Sequence, residues 1–356
     1  MEKLKLRDKL LQFSGRMYEG NEGSKKRNLI VYIVLGVMIL GAIGLYYYAR
    51  TFAKVRYLTD RPIPIPIAEG AIWEVMARAT PHLVGIIGAS IVIAIVSLSF
   101  QTITHSRVLS PSMVGFPAVF VGTQTLLVFF LGAQHFLFAN PFVNFLLTSG
   151  IMVAVSVLMF GAVLRSHKNN IVFLLMFGIV ISGIIMSSSN YLRLMLTEAD
   201  FFQLMAAINV NVPAVDEGII WFALPFMVIV VVLTMMRHRR YNVMTLGSEQ
   251  AKGLGIHYEK ELRINLILIA FGMSIVTALI GPLTFLGLLA VNAAREMLKT
   301  YKHMPLFIAS SLLAMVVLIA GQGLMELMLG AVPVTVIVDI VGCAYVFFLI
   351  LKENRV

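Results

Sequence analysis

Charged residues are scarce in this chain, and that scarcity excludes a soluble globular domain. Asp, Glu, Lys and Arg make up 13% of the 356 residues, and hydrophobic residues make up 59%. An average soluble domain carries about 25% charged residues. Cysteine is nearly absent as well: Cys343 is the only one, so no disulfide can form within the chain. We expect an integral membrane protein, with Cys343 as a small buried side chain in its last apolar run.

Several enzyme signatures are missing. No G-x-x-x-x-G-K-[ST] phosphate loop, H-E-x-x-H metal motif or G-x-S-x-G nucleophile turn occurs in the sequence. The histidines lie near the ends of apolar segments and do not cluster: His82, His105, His135, His167, His238, His257 and His303. We therefore expect no enzymatic activity, no metal site and no cofactor bound by this chain.

Acidic residues are rare inside the apolar segments. Only Glu326 and Asp339 fall within them, both toward the outer ends of the last two. Ion-coupled carriers keep costly ionisable groups in the membrane to relay protons or ions. An ion-coupled secondary transporter is therefore the weaker alternative, as is a polytopic scaffold without transport.

Long apolar runs are what the sequence has in abundance. Each is near the ~20 residues that cross a bilayer core as helix, and none alternates as the strands of a lipid-facing barrel do. The prediction is an all-α membrane protein with about ten transmembrane helices, the eighth short and broken. The predicted segments are 29–48, 83–104, 113–132, 142–164, 171–190, 218–236, 264–281, 283–296, 305–329 and 333–351.

The basic residues predict the orientation of these segments. If the N-terminus is cytoplasmic, 22 of the 28 Lys and Arg residues lie on the cytoplasmic side and 6 on the outside. Cytoplasmic loops carry such an excess, so both termini are predicted inside, and the net charge of +10 needs no nucleic-acid partner. The predicted organisation is a basic arm (1–28), a polytopic domain (29–352) and a short tail (353–356).

Two predicted outer loops are long. Residues 50–81 carry five basic residues and the run RPIPIPI at 61–67, which is typical of a stiff extended linker. The same loop could instead receive an acidic partner. In the other, residues 191–217, the stretch FFQLMAAINV indicates a short amphipathic helix at the membrane boundary.

The predicted cytoplasmic loop at about 241–262 contains TLGSEQAKGLGI. Gly247 or Ser248 is expected to cap a short helix with Glu249 in its first turn and with Ala251 and Leu254 on a small apolar face. Gly253 and Gly255 would end that helix before a second short one at 257–260. Such a pair of helices is a shape that a soluble partner can grip, whereas an amphipathic loop lying on the membrane is the alternative.

These residues also resemble a known family. LGSEQAKGLGI, residues 246–256, resembles the L-G-E-x-Q-A-R-x-L-G-V stretch of permease subunits of the iron-siderophore and cobalamin ABC importers, which have the type II importer fold. Four further stretches are similar to family segments in the family's order: SFQTITHSRVLSPSMVGF (99–116), QLMAAINVNVPAVD (203–216), GPLTFLGLLAVNAAREML (281–298) and VPVTVIVDIVGCAYVFFLILK (332–352). The resemblance covers residues from about 78 to 352.

The chain departs from the family pattern at four places, one of which is the ninth span, where the arginine often found late in that span is missing and Glu326 lies nearby. The family's P-H pair in the eighth segment is Val291-Asn292 here, and its N-P pair after the second span is Ser106-Arg107. Its R-x-P-R, which docks the binding protein, aligns with residues 79–82 and keeps only the proline. These variations look like the branch whose permeases work as unlike pairs on catechol-type ferric siderophores.

The resemblance implies a permease of the bacterial cell membrane that imports a ferric siderophore. Its implied partners are a second, unlike permease, two ATPase subunits that bind ATP and Mg, and an extracytoplasmic binding protein. Cobalamin or haem permeases share every motif and stay open as alternatives.

The resemblance also implies roles for particular residues. Coupling to the ATPases falls to Leu246, Gly247, Ser248, Glu249, Gln250, Ala251, Leu254 and Gly255. The inner gate and pathway fall to His105, Ser106, Val108, Ser187, Ser188, Ser189, Asn190, Thr197, Asn209 and Asn211. Docking of the binding protein falls to Arg56, Arg61, Arg78 and His82, and the helix break to Gly281 and Pro282. Serines bonded to their own helix backbone and asparagines that cap a helix are the alternatives for the pathway residues.

Overall fold

The computed structural model describes residues 28–53, 55–56, 71–166, 171–209, 215–328 and 333–353. Within these ranges the protein is helical and contains no strand. The predicted N-terminal arm up to residue 27, Arg61, Asn211 and the last three residues lie outside them. The helices are α1 (Asn28–Ala53), α2 (Ala71–Thr104), the 3₁₀ turn η1 (Pro111–Val114), α3 (Phe116–Leu131), α4 (Phe136–Ala139), α5 (Pro141–Ser166), α6 (Ile171–Arg193), α7 (Glu198–Ile208), α8 (Glu217–Met236), α9 (His238–Met244), α10 (Ser248–Gly253), α11 (Tyr258–Ile280), α12 (Leu286–Leu298), α13 (His303–Leu327) and α14 (Val334–Glu353).

Seven of these helices are long and apolar enough to cross a membrane: α1, α2, α5, α6, α8, α11 and α13. Helix α3 has 16 residues and α12 has 13, and the side chains of α14 are described without a gap over Val334–Tyr345, which is a shorter apolar stretch than those of the seven. Each of the ten predicted segments falls on one of these helices. The all-helical membrane fold is thereby confirmed, while the count of ten spans and their orientation stay predictions.

Helix α2 is the centre of the fold. It packs against α8, α11, α12 and α13, and 78% of its apolar window is buried, against 17% in α1. Gly287 of α12 lies against Ser97 of α2, and a Cβ at position 287 would collide with the Ser97 side chain. Helix α12 can therefore lie directly against α2.

Two boundary predictions and one burial prediction were wrong. Helix α2 begins at Ala71 rather than at 83, with Pro81 inside it, and α11 begins at Tyr258 rather than at 264. In both helices the added turns carry polar residues and lie outside the apolar window that the prediction relied on. Cys343 was expected to be buried but is exposed on α14, because α14 packs on α12 and α13 through another face.

The expected amphipathic helix between the fifth and sixth predicted segments is α7. Leu204 is buried, whereas Phe202 is 70% exposed. Thr197 caps its first turn by accepting a hydrogen bond from Asp200 N over 3.3 Å, and Asn209 is its C-cap. These two predicted pathway residues thus lie at the two ends of α7. The position of Asn209 agrees with the alternative interpretation, in which it caps a helix.

Candidate coupling and gating region

Helices α9 and α10 are two short helices between α8 and α11, and we call residues 238–256 the coupling unit. Gly247 is the N-cap of α10 with φ 99°, and neither it nor Ser248 supplies a side-chain cap. The expectation that Gly247 or Ser248 caps this helix is therefore confirmed at Gly247, through the backbone. The first turn of α10 carries Glu249, as expected.

The C-terminal end of α10 is closed by backbone hydrogen bonds. Gly255 has φ 83°, its N–H donates to Lys252 O over 3.0 Å, and Ile256 N donates to Ala251 O over 3.0 Å. This pair of bonds is a Schellman motif, in which the left-handed residue is usually glycine. The second short helix that we expected after it is instead the first turn of α11, because no break separates residue 258 from the long apolar helix.

The coupling unit presents apolar side chains to the outside. Leu246 is 54% exposed and Leu254 is 63% exposed, whereas Ala251 is fully buried. The predicted shared face of Ala251 and Leu254 is therefore wrong: the alanine packs inward and the leucine points outward. These two leucines are therefore available for contact with a partner.

Tyr241 anchors α9 to the membrane helices. Its ring is fully buried, stacks on His303 with ring centroids 5.5 Å apart and meets Phe307 edge-on at 5.9 Å. Its hydroxyl donates to Asn265 Oδ1 of α11 over 2.9 Å. Burial raises the pKa of Tyr241 above its ordinary value, so the phenol stays protonated and keeps this bond.

The neighbouring Asn242 makes a second anchor. Its Oδ1 lies 2.8 Å from both the backbone N and the ring Nδ1 of His303 at the start of α13. The other ring nitrogen of His303 lies 2.8 Å from Thr102 Oγ1 near the end of α2. One imidazole thus joins α9, α13 and α2.

Ion pairs complete the attachment of α9. The carboxylate of Glu261 on α11 pairs with both Arg237 and Arg240. Glu261 is buried, with 7% of its side chain exposed. Two arginines of the RHRR run at 237–240 therefore bind α11, in addition to adding to the basic charge from which the orientation is predicted. Together these contacts hold the coupling unit on α2, α11 and α13.

The gate segment, residues 105–108, follows α2 directly. His105 has φ 51°, and its Nε2 lies 3.5 Å from the hydroxyl of Tyr258, the first residue of α11. Ser106 Oγ accepts from Val108 N over 3.4 Å, and Val108 is 40% exposed. The predicted gate thus contacts the helix that follows the coupling unit.

The helix break, residues 281–285, lies between α11 and α12. Gly281 has φ 88° and closes α11 by donating to Thr277 O over 2.9 Å, and Pro282 follows it. The carbonyls freed here are satisfied by hydroxyls: Ser112 Oγ donates to Leu283 O over 3.1 Å and Ser110 Oγ donates to Thr284 O over 3.3 Å. Such satisfaction is what non-helical backbone at membrane depth requires.

Helix α6 carries the predicted serine cluster. Ser187, Ser188 and Asn190 are exposed, whereas Ser189 is buried and donates to Ile185 O over 2.8 Å. Ser189 thus follows the backbone-bonded alternative. Two to three turns earlier, Gly178 and Ser182 of α6 pack against Val114 and Gly115 at the end of η1, so the helix passes close to the turn that follows the gate segment.

The predicted docking residues are divided by the structure. His82 is 6% exposed, with ring nitrogens 3.0 and 3.1 Å from the carbonyl oxygens of Arg78 and Val215, so its side chain is not offered to a docking protein. Arg78 is exposed and pairs with Glu74 at 2.6 Å. A pair that the sequence did not suggest, Arg50 with Glu326 at 3.1 Å, ties α1 to α13.

Comparisons with known proteins agree on one relationship. A model of the FecCD transport family matches residues 68–352. The petrobactin import system permease protein YclO of Bacillus subtilis is 31% identical over 285 residues, 80% of this chain and 90% of that protein. The petrobactin import system permease protein FatC of Bacillus anthracis is 30% identical over 328 residues, 92% of this chain and 88% of that protein.

Two weaker similarities concern assembly and fold. YclN, another petrobactin import system permease protein of Bacillus subtilis, is 22% identical over 220 residues, 61% of this chain and 66% of that protein. A solved structure described as an inward-facing metal-chelate type ABC transporter superimposes with a TM-score of 0.69 at 15% identity, over 89% of this chain and 99% of that one. At that identity the likeness establishes the fold.

Proposed function

This chain belongs to the FecCD transport family, and on that premise we propose that it is the permease subunit of an ATP-driven ABC importer that carries a ferric siderophore into the cytoplasm. The family is one of transport permeases and not of enzymes, and the chain is a multi-pass membrane protein. Petrobactin is the first substrate to test, since the relatives at 30–31% identity are named for its import. The membrane we propose is the bacterial cytoplasmic membrane.

The observation that carries the proposal is the attachment of the coupling unit. Its exposed leucines face away from the protein, while Tyr241, Asn242 and two arginines fix its base to α2, α11 and α13. A rigid unit of this kind moves with any partner that grips it and passes the motion to the helices beneath. ATP and Mg would be bound by two separate ATPase subunits that grip Leu246 and Leu254, and by no residue of this chain.

The exposed polar face of α6 supports a path shared with a second permease. Ser187, Ser188 and Asn190 are exposed on an otherwise apolar helix, and polar groups on membrane helices face a partner or a water-filled cavity. We propose that the partner is unlike this chain, because the chain resembles two different permeases of one Bacillus subtilis system. A binding protein would deliver the chelate to the outer face near Arg56 and Arg78.

Uptake measurements test the substrate. A strain that lacks this subunit is starved of iron and given radiolabelled iron as ferric petrobactin or as a ferric hydroxamate, with labelled cobalamin in parallel. We expect loss of ferric petrobactin uptake that the wild-type gene restores. Unchanged uptake of both ferric siderophores would overturn the proposal, and loss of cobalamin uptake alone would assign the chain to cobalamin.

Crosslinking tests the coupling. Cys343 is replaced by alanine, and single cysteines are placed at Ser248, at Lys252 and, as a control, at Tyr301, which is 73% exposed outside the coupling unit. The two positions on α10 should crosslink to a co-purified ATPase, and more strongly than position 301. A stronger reaction at 301 would move the ATPase contact away from α10.

A further inference from the structure

Asn292 makes a contact that joins α12 to the gate segment. Its side-chain Nδ2 donates a hydrogen bond to the backbone carbonyl of Arg107 over 2.8 Å. Asn292 is 4% exposed, so the amide is buried beside the segment it holds. The contact also links two of the places at which the chain departs from the family pattern.

The gate segment needs such a partner because it has left the helix. The positive φ of His105 turns the chain out of α2, and the carbonyls that follow have no helical N–H to accept from. A buried carbonyl without a partner is costly, and a side-chain donor removes that cost. Asn292 supplies the donor for Arg107 O.

Three side chains therefore fasten the region 105–114 to one neighbour. Asn292 bonds to Arg107 O, and the hydroxyls of Ser110 and Ser112 bond to the helix break that leads into α12. Toward α11, His105 makes a longer side-chain contact, with 3.5 Å between its Nε2 and the hydroxyl of Tyr258. The fastening is thus stronger toward α12 than toward α11.

We propose that Asn292 is a positioning residue for the inner gate: it holds residues 105–108 on α12, so that this segment and α12 move together when access to the path changes. The inference rests on the proposed function, since it takes residues 105–108 as the gate. In this role Asn292 does not contact the substrate.

The test measures how freely the gate segment moves in the complete importer in membrane vesicles. In a Cys343→Ala background, Val108→Cys provides a thiol on the exposed part of the gate segment, and its rate of reaction with a maleimide is recorded without nucleotide. Asn292→Leu removes the donor at similar size, and Asn292→His keeps an N–H donor. Asn144→Leu is the matched control, because Asn144 bonds to Gln124 between α5 and α3, away from the gate.

We expect Asn292→Leu to raise the reaction rate by about tenfold, the factor that corresponds to one hydrogen bond of about 1.4 kcal/mol. The histidine variant and the Asn144→Leu control should stay within about twofold of the parent. An unchanged rate in Asn292→Leu, or an equal rise in the control, would overturn the proposal. If Asn292→Leu does not assemble, Asn292→Ala takes its place, because it removes the same donor without adding a larger side chain, with the same expected rise and the same refutation.

The two proposals can fail separately. The thiol reaction needs no transported substrate, so it decides the role of Asn292 even if the parent importer takes up no siderophore. Failure of uptake with a tenfold change in thiol reactivity would reject the siderophore and keep the positioning role. Normal siderophore uptake in the parent with unchanged thiol reactivity in Asn292→Leu would keep the siderophore as substrate and reject the positioning role of Asn292.

Discussion

Glu261 is the side chain whose loss should disturb the coupling unit most. Its carboxylate is 7% exposed and pairs with Arg237, at 18% exposed, and with Arg240, at 54% exposed. Removing one partner of a buried ion pair costs about 3–5 kcal/mol, because a buried charge is left without a counter-ion. Glu261→Gln leaves two neighbouring arginines unpaired, so we expect a loss of about 3 kcal/mol.

The two arginines should matter less, and unequally. Arg237→Gln leaves Glu261 paired with Arg240, so its cost should fall to about 1–2 kcal/mol. Arg240 is more than half exposed, and exposed ion pairs contribute about 0–1 kcal/mol. The expected order of destabilisation is therefore Glu261→Gln, then Arg237→Gln, then Arg240→Gln.

Thermal unfolding of the purified importer complex measures this order, and uptake per ATP hydrolysed in proteoliposomes reports whether the coupling unit still transmits motion. The glutamine at 261 should lower both the unfolding midpoint and the uptake per ATP. If Arg240→Gln lowered the midpoint as much as Glu261→Gln did, the network would not be organised around a buried carboxylate, and the reasoning would be refuted.

Four further predictions concern α10, its C-terminal cap and α7. Leu254→Ser should reduce ATPase coupling without lowering the unfolding midpoint, because the side chain is 63% exposed, whereas Ala251→Leu should cost about 1–3 kcal/mol by overpacking a fully buried position. Gly255→Ala should cost about 1 kcal/mol, because φ there is 83°, and should weaken crosslinking from Lys252→Cys. The pKa of Asp200 is lowered by the Thr197 hydroxyl and by Ala133 N–H, so its stabilising effect is present above its ordinary pKa and is lost as the pH falls through the lowered value. Asp200→Asn should therefore speed hydrogen exchange in α7 at pH ~7, and the difference from wild type should narrow below about pH 4.

Gly255→Ala has a matched control. Gly253→Ala is the counterpart of Gly255→Ala, since Gly253 lies inside α10 with open space around a Cβ, and it should leave crosslinking intact. Equal effects of the two alanines would remove φ as the cause. A pH-independent effect of Asp200→Asn would show that charge is not involved, and a stable Ala251→Leu variant would show that α10 packs less tightly than its burial indicates.

The positions of the membrane helices followed from the sequence for a general reason. Backbone groups in a bilayer must be satisfied within the segment, so a long apolar run without alternation has to be a helix. The interruption at Gly281-Pro282 was equally local, because proline removes a donor and glycine accepts the positive φ found there. The starts of α2 at Ala71 and of α11 at Tyr258 lie in polar sequence and were not predicted, because the apolar run that indicates each span begins several residues after the helix does.

The contacts that make a site out of these helices were not visible in the sequence. Tyr241 and Asn265 are 24 residues apart, Asn242 and His303 are 61 apart, and Asn292 and Arg107 are 185 apart. An asparagine or a histidine carries the same local signal whether it caps a helix, faces a pathway or holds a distant carbonyl. His82 shows this, since it was placed on a docking surface and is buried between two backbone carbonyls.

The sequence by itself determined that this is a helical membrane protein with a short helix around Glu249 and a broken helix at Gly281-Pro282, because hydropathy, glycine and proline act over a few residues. Only the tertiary structure decided which side chains fasten the coupling unit and the gate segment to the helices. Those fastenings depend on which distant backbone groups are left without partners, and this is settled only when the helices pack.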